Sequence, residues 1–397
     1  WHDLMGNSSK NMKKKIAILG STGSIGKKTL DIIKKDKKRF IIYLLVANKN
    51  SSLLIKQIKE FNPKNIIISD YKSYKVIKKK FKKKKIYNNL NKINSIFKSK
   101  VDYTMSAISG FNGLKPTLEI IKFSKTIAIA NKESIICGWN LINKELKKNK
   151  TNFIPIDSEH FSIWSLIKNS PKESIDKIII TASGGPFLKK SHKQFRDIKP
   201  SDAIKHPNWK MGKKISIDSA TLMNKIFEVI EAKKIFNIKL NKFKILIHPQ
   251  SYIHAIIKFK NGLIKIIAHD TDMKIPIFNS LYNNENKTII SKDINLQILN
   301  NLELQEVDQK KFPVIKILDK IPDNESLFET LLVTINDELV DLFLKKQVSF
   351  QNISKNLIKF LNLNVFVKYK RQKLNNLAQI VKLNKFVRLK TKTLSIL

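Results

Sequence analysis

Over the first 150 residues, short apolar runs alternate with stretches whose apolar positions recur at helical spacing. Lys15–Leu19 (KIAIL) reads as a buried strand and Ser24–Lys35 as the helix after it. Phe40–Ala47 (FIIYLLVA) is a second strand, followed by a helix near Ser52–Phe61, and Ile66–Ser69 a third, short strand. Tyr103–Ile108 and Thr126–Ala130 repeat the strand pattern, each with a helical stretch behind it. Strands that alternate with helices in this way build βαβ units on a parallel sheet. A first α/β domain over residues 12–150 is expected.

From Thr151 to about Asn283 the pattern changes. Apolar runs at Ile178–Ala182, Ile245–Ile247, Ile253–Phe259 and Leu263–Ala268 read as strands of a mixed sheet, giving an α+β domain over 151–283. Within it, Gly184–Lys214 has few periodic apolar positions. A loop of that length inside a compact domain is usually a functional lid or a disordered segment. Residues 284–315 read as a linker. Apolar residues then recur at four-residue spacing, as in Leu331, Ile335, Leu339 and Phe343, so 316–397 is expected to be a helical bundle.

Composition changes this picture in two places. The formal charge of +44 suggests a nucleic-acid ligand, but the excess is nearly all lysine spread along the whole chain. Arginine, the usual tool for bidentate base and phosphate recognition, is scarce. The bias therefore reads as global rather than as a binding patch, with the run Lys78–Lys85 a solvated surface, and no specific nucleic-acid partner is expected. Such a field would assist an anionic substrate. The single cysteine, Cys137, forbids an intrachain disulfide, reads as a packed apolar residue, and fits a reducing cytoplasm. No apolar run approaches the roughly 18 residues of a membrane span. Residues 1–11, WHDLMGNSSKN, lack a secretory signal and read as a tag, an upstream stretch or a disordered arm.

Gly20-Ser-Thr-Gly23-Ser-Ile-Gly26 lies where the first strand hands over to a helix. Glycines there let the backbone approach a pyrophosphate, and the free N–H groups of the helix start favour its charge. The bland alternative is a tight turn with no ligand. An acidic residue at the end of the second strand would select NAD, but the stretch here is Ala47-Asn48-Lys49-Asn50. A cation in that place suits a 2′-phosphate, so NADPH is the expected cofactor.

In so basic a chain the carboxylates stand out. Asp157 and Glu159 lie at i and i+2, which on an extended segment would put both on one side, and Glu228 and Glu231 share a helix with Asn224 and Lys225. Oxygen-only ligands with open positions suit Mg²⁺ or Mn²⁺ better than zinc. Pairing of these acids with nearby lysines is the plain alternative. Thr181-Ala-Ser-Gly-Gly185 and Asp218-Ser219-Ala-Thr-Leu-Met-Asn224-Lys225 offer the hydroxyls, backbone N–H groups and ammonium that a phosphate needs. His206, Trp209 and His248 taken singly read as structural.

Seven segments in order resemble the 1-deoxy-D-xylulose 5-phosphate reductoisomerase family: GSTGSIG at 20–26, ANKES at 130–134, DSEH at 157–160, TASGGPF at 181–187, HPNWKMG at 206–212, DSATLMNK with Glu228 at 218–228, and HPQS at 248–251. The C-terminal third is similar only through NDE at 336–338 and its helical pattern. The resemblance implies a Rossmann-like NADPH domain, an α+β catalytic domain with a mobile lid at about 184–214, and a C-terminal helical bundle. It implies that Thr22, Gly23, Ser24 and Ile25 hold the NADPH pyrophosphate, with Lys49 and Asn50 near the 2′-phosphate. Asn131 and Glu133 would line the cofactor–substrate junction, Lys132 would bind a substrate hydroxyl, and Met211 and Gly212 would lie near the nicotinamide. Asp157, Glu159 and Glu228 would bind one Mg²⁺ or Mn²⁺, with Ser158 touching substrate beside them. Ser183, Ser219, Asn224 and Lys225 would cradle the phosphate of a small sugar-like substrate, under His206 and Trp209 of the lid. The implied catalytic set is Lys132, Asp157, Glu159, Glu228 and His206, and the implied assembly a homodimer. The implied reaction rearranges the carbon skeleton of 1-deoxy-D-xylulose 5-phosphate to an aldehyde phosphate, which NADPH reduces to 2-C-methyl-D-erythritol 4-phosphate.

The chain departs from the family's habits at Asn48, at Phe111 and Asn112, and at Ile226, each larger than the residue usual there. A different Rossmann-type reductase, such as a homoserine or aspartate-semialdehyde dehydrogenase, would not need DSEH together with Glu228. An RNA-binding module would not keep an acidic constellation, which repels a nucleic-acid backbone.

Overall fold

The structure, a computed structural model, describes residues 12–209, 211–283 and 285–396, the side chains of His192 and Ile396 excepted. The arm read at 1–11 lies outside the described residues. One compact unit takes the described residues up to Ala130 together with Glu145–Ile154; the other takes Asn131–Lys144 and the described residues from Pro155 onward.

The first unit alternates β1 (Lys14–Leu19), α1 (Ser24–Lys35), β2 (Phe40–Ala47), α2 (Ser51–Phe61), β3 (Asn65–Ile68), α3 (Tyr71–Lys80), β4 (Lys85–Tyr87), α4 (Ile93–Ile96), β5 (Val101–Ser106), α5 (Leu114–Ile121) and β6 (Ser124–Ile129). The long helix α6 (Lys132–Lys148) and β7 (Asn152–Pro155) follow. The strands form one sheet in the order β4-β3-β2-β1-β5-β6-β7, parallel from β4 through β6. Central strands read as continuous apolar runs because helices cover both faces of such a sheet; Ile16, Ala17, Ile18 and Leu19 are all fully buried. Strand order reverses between β1 and β5, the place where open α/β sheets bind ligands beyond their strand ends. The lysine run at 78–85 ends α3 and enters β4, where Ile86 is buried between exposed Lys85 and half-buried Tyr87.

α6 leaves helical geometry at Gly138 (φ −134°, ψ 19°). Residues up to Lys144 belong to the second unit, although the alternating pattern alone places the boundary near Lys150.

The second unit continues with α7 (Ser158–Ile167), β8 (Ile175–Ala182), α8 (Pro200–Ala203), α9 (Lys213–Ala220), α10 (Met223–Phe236), β9 (Phe243–Ile247), β10 (Ile253–Phe259), β11 (Ile264–Ala268), α11 (Lys274–Leu281), α12 (Leu296–Asn300) and β12 (Gln305–Glu306). Its mixed sheet runs β11-β10-β8-β9-β12, with β8 and β9 parallel and the other pairs antiparallel. The stretch read as a linker therefore supplies an edge strand. The chain closes with α13 (Phe328–Leu344), α14 (Phe350–Phe360), α15 (Asn364–Val367) and α16 (Leu377–Ile396). α13 packs against both α14 and α16 and is buried on nearly every side, which is how an all-round apolar helix behaves. No helix among the described residues is long and apolar enough to cross a membrane.

The segment 184–214 is not one loop. A 3₁₀ turn spans His192–Asp197 and α8 follows, with Phe187, Phe195, Ile198 and Ala203 buried. The rings of Phe187 and Phe195 meet Phe350 edge-on at 5.3 and 5.5 Å. Aromatic contacts thus fix the first part, whereas no described residue from Ile204 to Lys213 is buried.

Candidate functional site

In the first unit the glycine loop is shaped by close backbone approach. Gly20 has φ +86°, and a Cβ there would lie 2.5 Å from the Ala107 carbonyl oxygen, just beyond β5. At Gly26 a Cβ would meet the Gly20 oxygen at 2.3 Å. Gly23 is the N-cap of α1 without a side-chain cap, and no acidic residue stands in the first turn. The N–H groups at Ser24 and Ile25 are thereby left for an anion, with Thr22 in the turn before them. Asn48, Lys49 and Asn50 are exposed at the end of β2. Asn50 Oδ1 caps α2 by accepting from Leu53 N at 3.1 Å, so its expected contact with a 2′-phosphate leaves only the rest of its amide.

In the second unit the acids converge, though not by the extended segment expected. Asp157 is the N-cap of α7 and Glu159 stands in that helix's first turn, its N–H donating to Asp157 Oδ1 at 3.4 Å. The helix start brings the pair together. Glu228 arrives from α10, and one oxygen each of Asp157, Glu159 and Glu228 lie within 4.8 Å of one another. Two ammoniums meet them. Lys132, at the start of α6, pairs with Asp157, with Glu228 Oε1 at 3.2 Å and with Glu231 Oε2 at 3.7 Å. Lys225 pairs with Glu159 Oε1 at 2.7 Å and with Glu228.

These contacts set the charge states. Burial opposes both ammoniums, yet the surrounding carboxylates raise Lys132 well above its usual range and raise Lys225 as well. Glu159 is held well below the usual carboxylate range: the charge of Lys225, a hydrogen bond with Asp157 and the charge of Lys132 outweigh its burial. Glu228 is raised to about 7, by burial and then by the charge of Glu159. Glu231 is raised well above the usual carboxylate range by burial, opposed by Lys132, so it stands beside the centre as a neutral carboxyl. Three converging oxygen donors with no sulfur or ring nitrogen among them suit a hard ion. Asp157, Glu159 and Glu228 therefore fit Mg²⁺ or Mn²⁺.

Beside this centre lies a hydroxyl cradle. Ser183 follows β8 and Ser219 sits near the end of α9. Gly185, at φ +69°, lets the two segments close, since a Cβ there would lie 2.8 Å from Ala220 Cα. His206 Nε2 reaches Ser183 Oγ at 2.9 Å and Ser219 Oγ at 3.1 Å. Its Nδ1 accepts from the N–H groups of Asn208 and Trp209, at 3.1 and 3.0 Å, which puts the proton of a neutral ring on Nε2. Burial, then the nearby charge of Lys225, lowers His206 to about 4, so the ring is neutral at physiological pH. Asn224 donates to Glu228 Oε1 at 2.6 Å, at the edge of the acidic centre. Ser158 is buried and donates to Glu159.

The lid tip is seated. Asn208 Nδ2 donates to Pro249 O at 2.7 Å and Ser251 Oγ at 2.9 Å, and Trp209 sets its ring edge-on to His254, 6.0 Å between centroids. Met211 is half-buried, and Gly212 caps α9. Asn131 Oδ1 accepts from Ser134 N at the head of α6, and Glu133 accepts from Lys214 Nζ at 2.8 Å.

Sequence reasoning missed the parts played by His160 and His254, while His248 and Cys137 are structural as read. His160, fully buried, reaches the Glu228 carbonyl through Nε2 at 2.8 Å and sets Nδ1 3.6 Å from Asp157 Oδ1, bridging two acids of the centre. Its signal was its place three residues after the capping Asp157. His254 stacks on His269 at 3.8 Å and, lowered to about 3 by burial and then by His269, is neutral. His248 is a turn brace: Nδ1 meets the Glu303 carbonyl at 2.7 Å, and Nε2 accepts from Tyr252 N and Ile253 N. Burial pushes the Cys137 thiol up, which suits a packed residue and not a nucleophile.

Known proteins place this arrangement. The chain matches the 1-deoxy-D-xylulose 5-phosphate reductoisomerase family over residues 16–138, that family's C-terminal domain over 153–236, and the DXP reductoisomerase C-terminal domain over 269–390. It is 58% identical to the 1-deoxy-D-xylulose 5-phosphate reductoisomerase of Pelagibacter ubique, covering 96% of this chain and all of that protein. To that of Wolbachia pipientis it is 40% identical, over 86% of this chain and 88% of the relative. The Zymomonas mobilis reductoisomerase solved in complex with NADPH superposes with a TM-score of 0.88 at 31% identity, covering 96% of this chain and 99% of that one. A DOX-P reductoisomerase solved with NADPH, fosmidomycin and magnesium gives the same score and identity, with 96% and 98% covered. With its glycine loop, acidic centre and hydroxyl cradle, the chain belongs to the 1-deoxy-D-xylulose 5-phosphate reductoisomerase family.

Proposed function

We propose that this chain rearranges and reduces 1-deoxy-D-xylulose 5-phosphate to 2-C-methyl-D-erythritol 4-phosphate. The observation that carries the assignment of roles is the meeting of Asp157, Glu159 and Glu228 with Lys132 and Lys225 beside the Ser183–His206–Ser219 cradle. When bound, a divalent cation supplies Lewis acidity at neighbouring substrate oxygens and NADPH supplies the hydride. The chain's own residues do the rest. Thr22, Gly23, Ser24 and Ile25 hold the pyrophosphate, and Lys49 with Asn50 receives the 2′-phosphate. Asn131 and Glu133 line the cofactor–substrate junction, and Met211 and Gly212 belong to the nicotinamide end. Ser183, Ser219, Asn224, Lys225 and the Nε2–H of His206 bind the substrate phosphate, giving binding energy remote from the reacting carbons. Lys132 and Ser158 orient substrate hydroxyls at the acidic centre. Trp209 covers the bound substrate, and the lid excludes water from the reactive aldehyde.

Mn²⁺ serves as well as Mg²⁺ in this reading, because both take oxygen donors. The working form is a cytoplasmic homodimer. A lone buried cysteine supports the compartment, and the edge strand β11, with Ile264 and Ile266 beside an exposed Leu263, supports the pairing. Mass spectrometry of the reaction mixture tests the chemistry: the methylerythritol phosphate is expected only when NADPH and Mg²⁺ are both present. Its absence with both supplied would refute the assignment.

A further inference from the structure

Lys214 stands in the first turn of α9, after the stretch 204–213 in which no described residue is buried, and it meets three carboxylates. Its Nζ lies 2.8 Å from Glu133 Oε1, 2.9 Å from Asp337 Oδ1 and 3.2 Å from Asp218 Oδ2. Those carboxylates stand on three different helices, α6, α13 and α9. The outer members are tied in turn: Asn336 donates to Asp218 Oδ1 at 2.7 Å, and Arg388 of α16 reaches Asp337 at 3.4 Å and Glu338 at 3.2 Å. Glu133, Asp218, Asp337 and Glu338 are all largely buried.

We infer that Lys214 is a positioning residue: it pins the trailing end of the lid to Glu133 at the head of α6, using α13 as the fixed support. The two ends of the movable stretch are then unlike. Ala203, fully buried in α8, anchors the leading end by packing, as the Phe187–Phe195–Phe350 cluster does for the segment before it, and a charged clamp anchors the trailing end. Packing is indifferent to direction, whereas a clamp of three carboxylates on one ammonium fixes where Gly212 and Glu133 sit relative to each other. Lys132 precedes Glu133 directly, so the clamp also sets the backbone from which Lys132 reaches the acidic centre. This inference rests on the roles proposed above for the lid and for Glu133.

The test is Lys214→Met in the full chain, with Glu133→Gln and the double variant. In Lys214→Met, trypsin cleavage after Lys205 should accelerate about tenfold in the absence of ligands, as expected for local opening of a released segment. With NADPH and Mg²⁺ present, kcat/KM for 1-deoxy-D-xylulose 5-phosphate should fall by about ten- to a hundredfold, the scale of a misplaced positioning group. Mn²⁺ affinity should stay within about twofold, since the acidic centre keeps its ligands. The double variant should be no worse than Lys214→Met alone, because the Lys214–Glu133 contact that Glu133→Gln removes is already lost there. If Lys214→Met does not fold, Asp337→Asn carries the same test, with faster cleavage and a raised KM expected. A folded variant with wild-type cleavage and wild-type KM would overturn the clamp while leaving the proposed function intact. A wild-type enzyme inert toward the substrate would instead overturn the function, and the cleavage comparison would still decide the clamp.

Discussion

Replacing Lys132 by methionine removes one charge and little volume, and the structure sets the size of the effect. Its side chain is 11% exposed, and the three carboxylates it meets, Asp157, Glu228 and Glu231, are 20%, 2% and 1% exposed. Glu228 keeps Lys225 as a partner, Asp157 keeps no ammonium among the described contacts, and Glu231, raised well above the usual carboxylate range by burial, is already protonated. Removing one partner of a buried ion pair costs about 3–5 kcal/mol, because a buried charge is left uncompensated. Similar volume keeps the packing penalty small. At roughly 2–4 °C per kcal/mol for a domain of this size, Tm should drop by about 6–20 °C. The same loss removes a positive charge from the carboxylates that suit the cation. Mn²⁺ should therefore bind the variant about tenfold more tightly than wild type, near 1.4 kcal/mol, and recover part of the lost stability. Turnover should still fall by roughly a hundredfold or more, since a positioned charge at the reacting centre is gone. Denaturation followed by tryptophan fluorescence, with and without Mn²⁺, reads both effects. A variant within about 1 kcal/mol of wild type and unchanged in Mn²⁺ affinity would refute the view that Lys132 neutralises these acids.

Other outcomes follow from separate places. Gly26→Ala puts a Cβ 2.3 Å from the Gly20 oxygen and 2.6 Å from Ser21 Cα, so the loop must shift; NADPH affinity should drop about tenfold or more, with Mn²⁺ affinity unchanged, as fluorescence titration would show. His206→Asn removes a neutral donor from the Ser183–Ser219 cradle proposed to hold the phosphate. KM for the phosphorylated substrate should rise by about ten- to a hundredfold, evenly from pH 6 to 8, and a loss confined to the acid side would speak against a neutral ring. Asp337 is raised to about 6 by burial, opposed by Lys214 and augmented by Glu133 and Asp218; Glu338 and Arg388 also flank it. A carboxyl raised in the fold stabilises it below the unfolded value of 3.8, and that contribution is lost as pH rises through about 6. From pH 4 to 7 the stability of Asp337→Asn relative to wild type should shift upward by on the order of 3 kcal/mol from whatever offset the lost clamp sets at pH 4, and a falling difference over that range would contradict the sign.

Much of the fold is legible because burial leaves periodic marks. FIIYLLVA could only be a strand covered on both faces, and its bounds as β2 are those read from the pattern. Shorter or two-sided elements leave no such mark: β12 is a two-residue pairing, and β4 buries only Ile86, between Lys85 and Tyr87. The lid was half legible. Phe187 and Phe195 are too far apart in sequence to look periodic, and their partner Phe350 lies more than 150 residues away. DSEH was visible as a unit, but its geometry was not. Pro155 ends β7, and Asp157 then caps a helix, so i and i+2 meet around a helix start instead of along a strand. Ile226 looked crowded for its helix, yet α10 is buried on nearly every face, and the side chain fills core space. The buried charges were hardest to find. In a chain with 76 basic residues Lys214 has no local feature that distinguishes it, and only tertiary contact shows three carboxylates around it.

The most direct measurement is NADPH oxidation with 1-deoxy-D-xylulose 5-phosphate, run with Mg²⁺, after chelation, and with Asp157→Asn. Oxidation that needs the metal and collapses in the variant, while the glycine loop still binds NADPH, is the expected result. Equal rates with and without chelator, or a variant as active as wild type, would contradict the placement of the metal between α7 and α10.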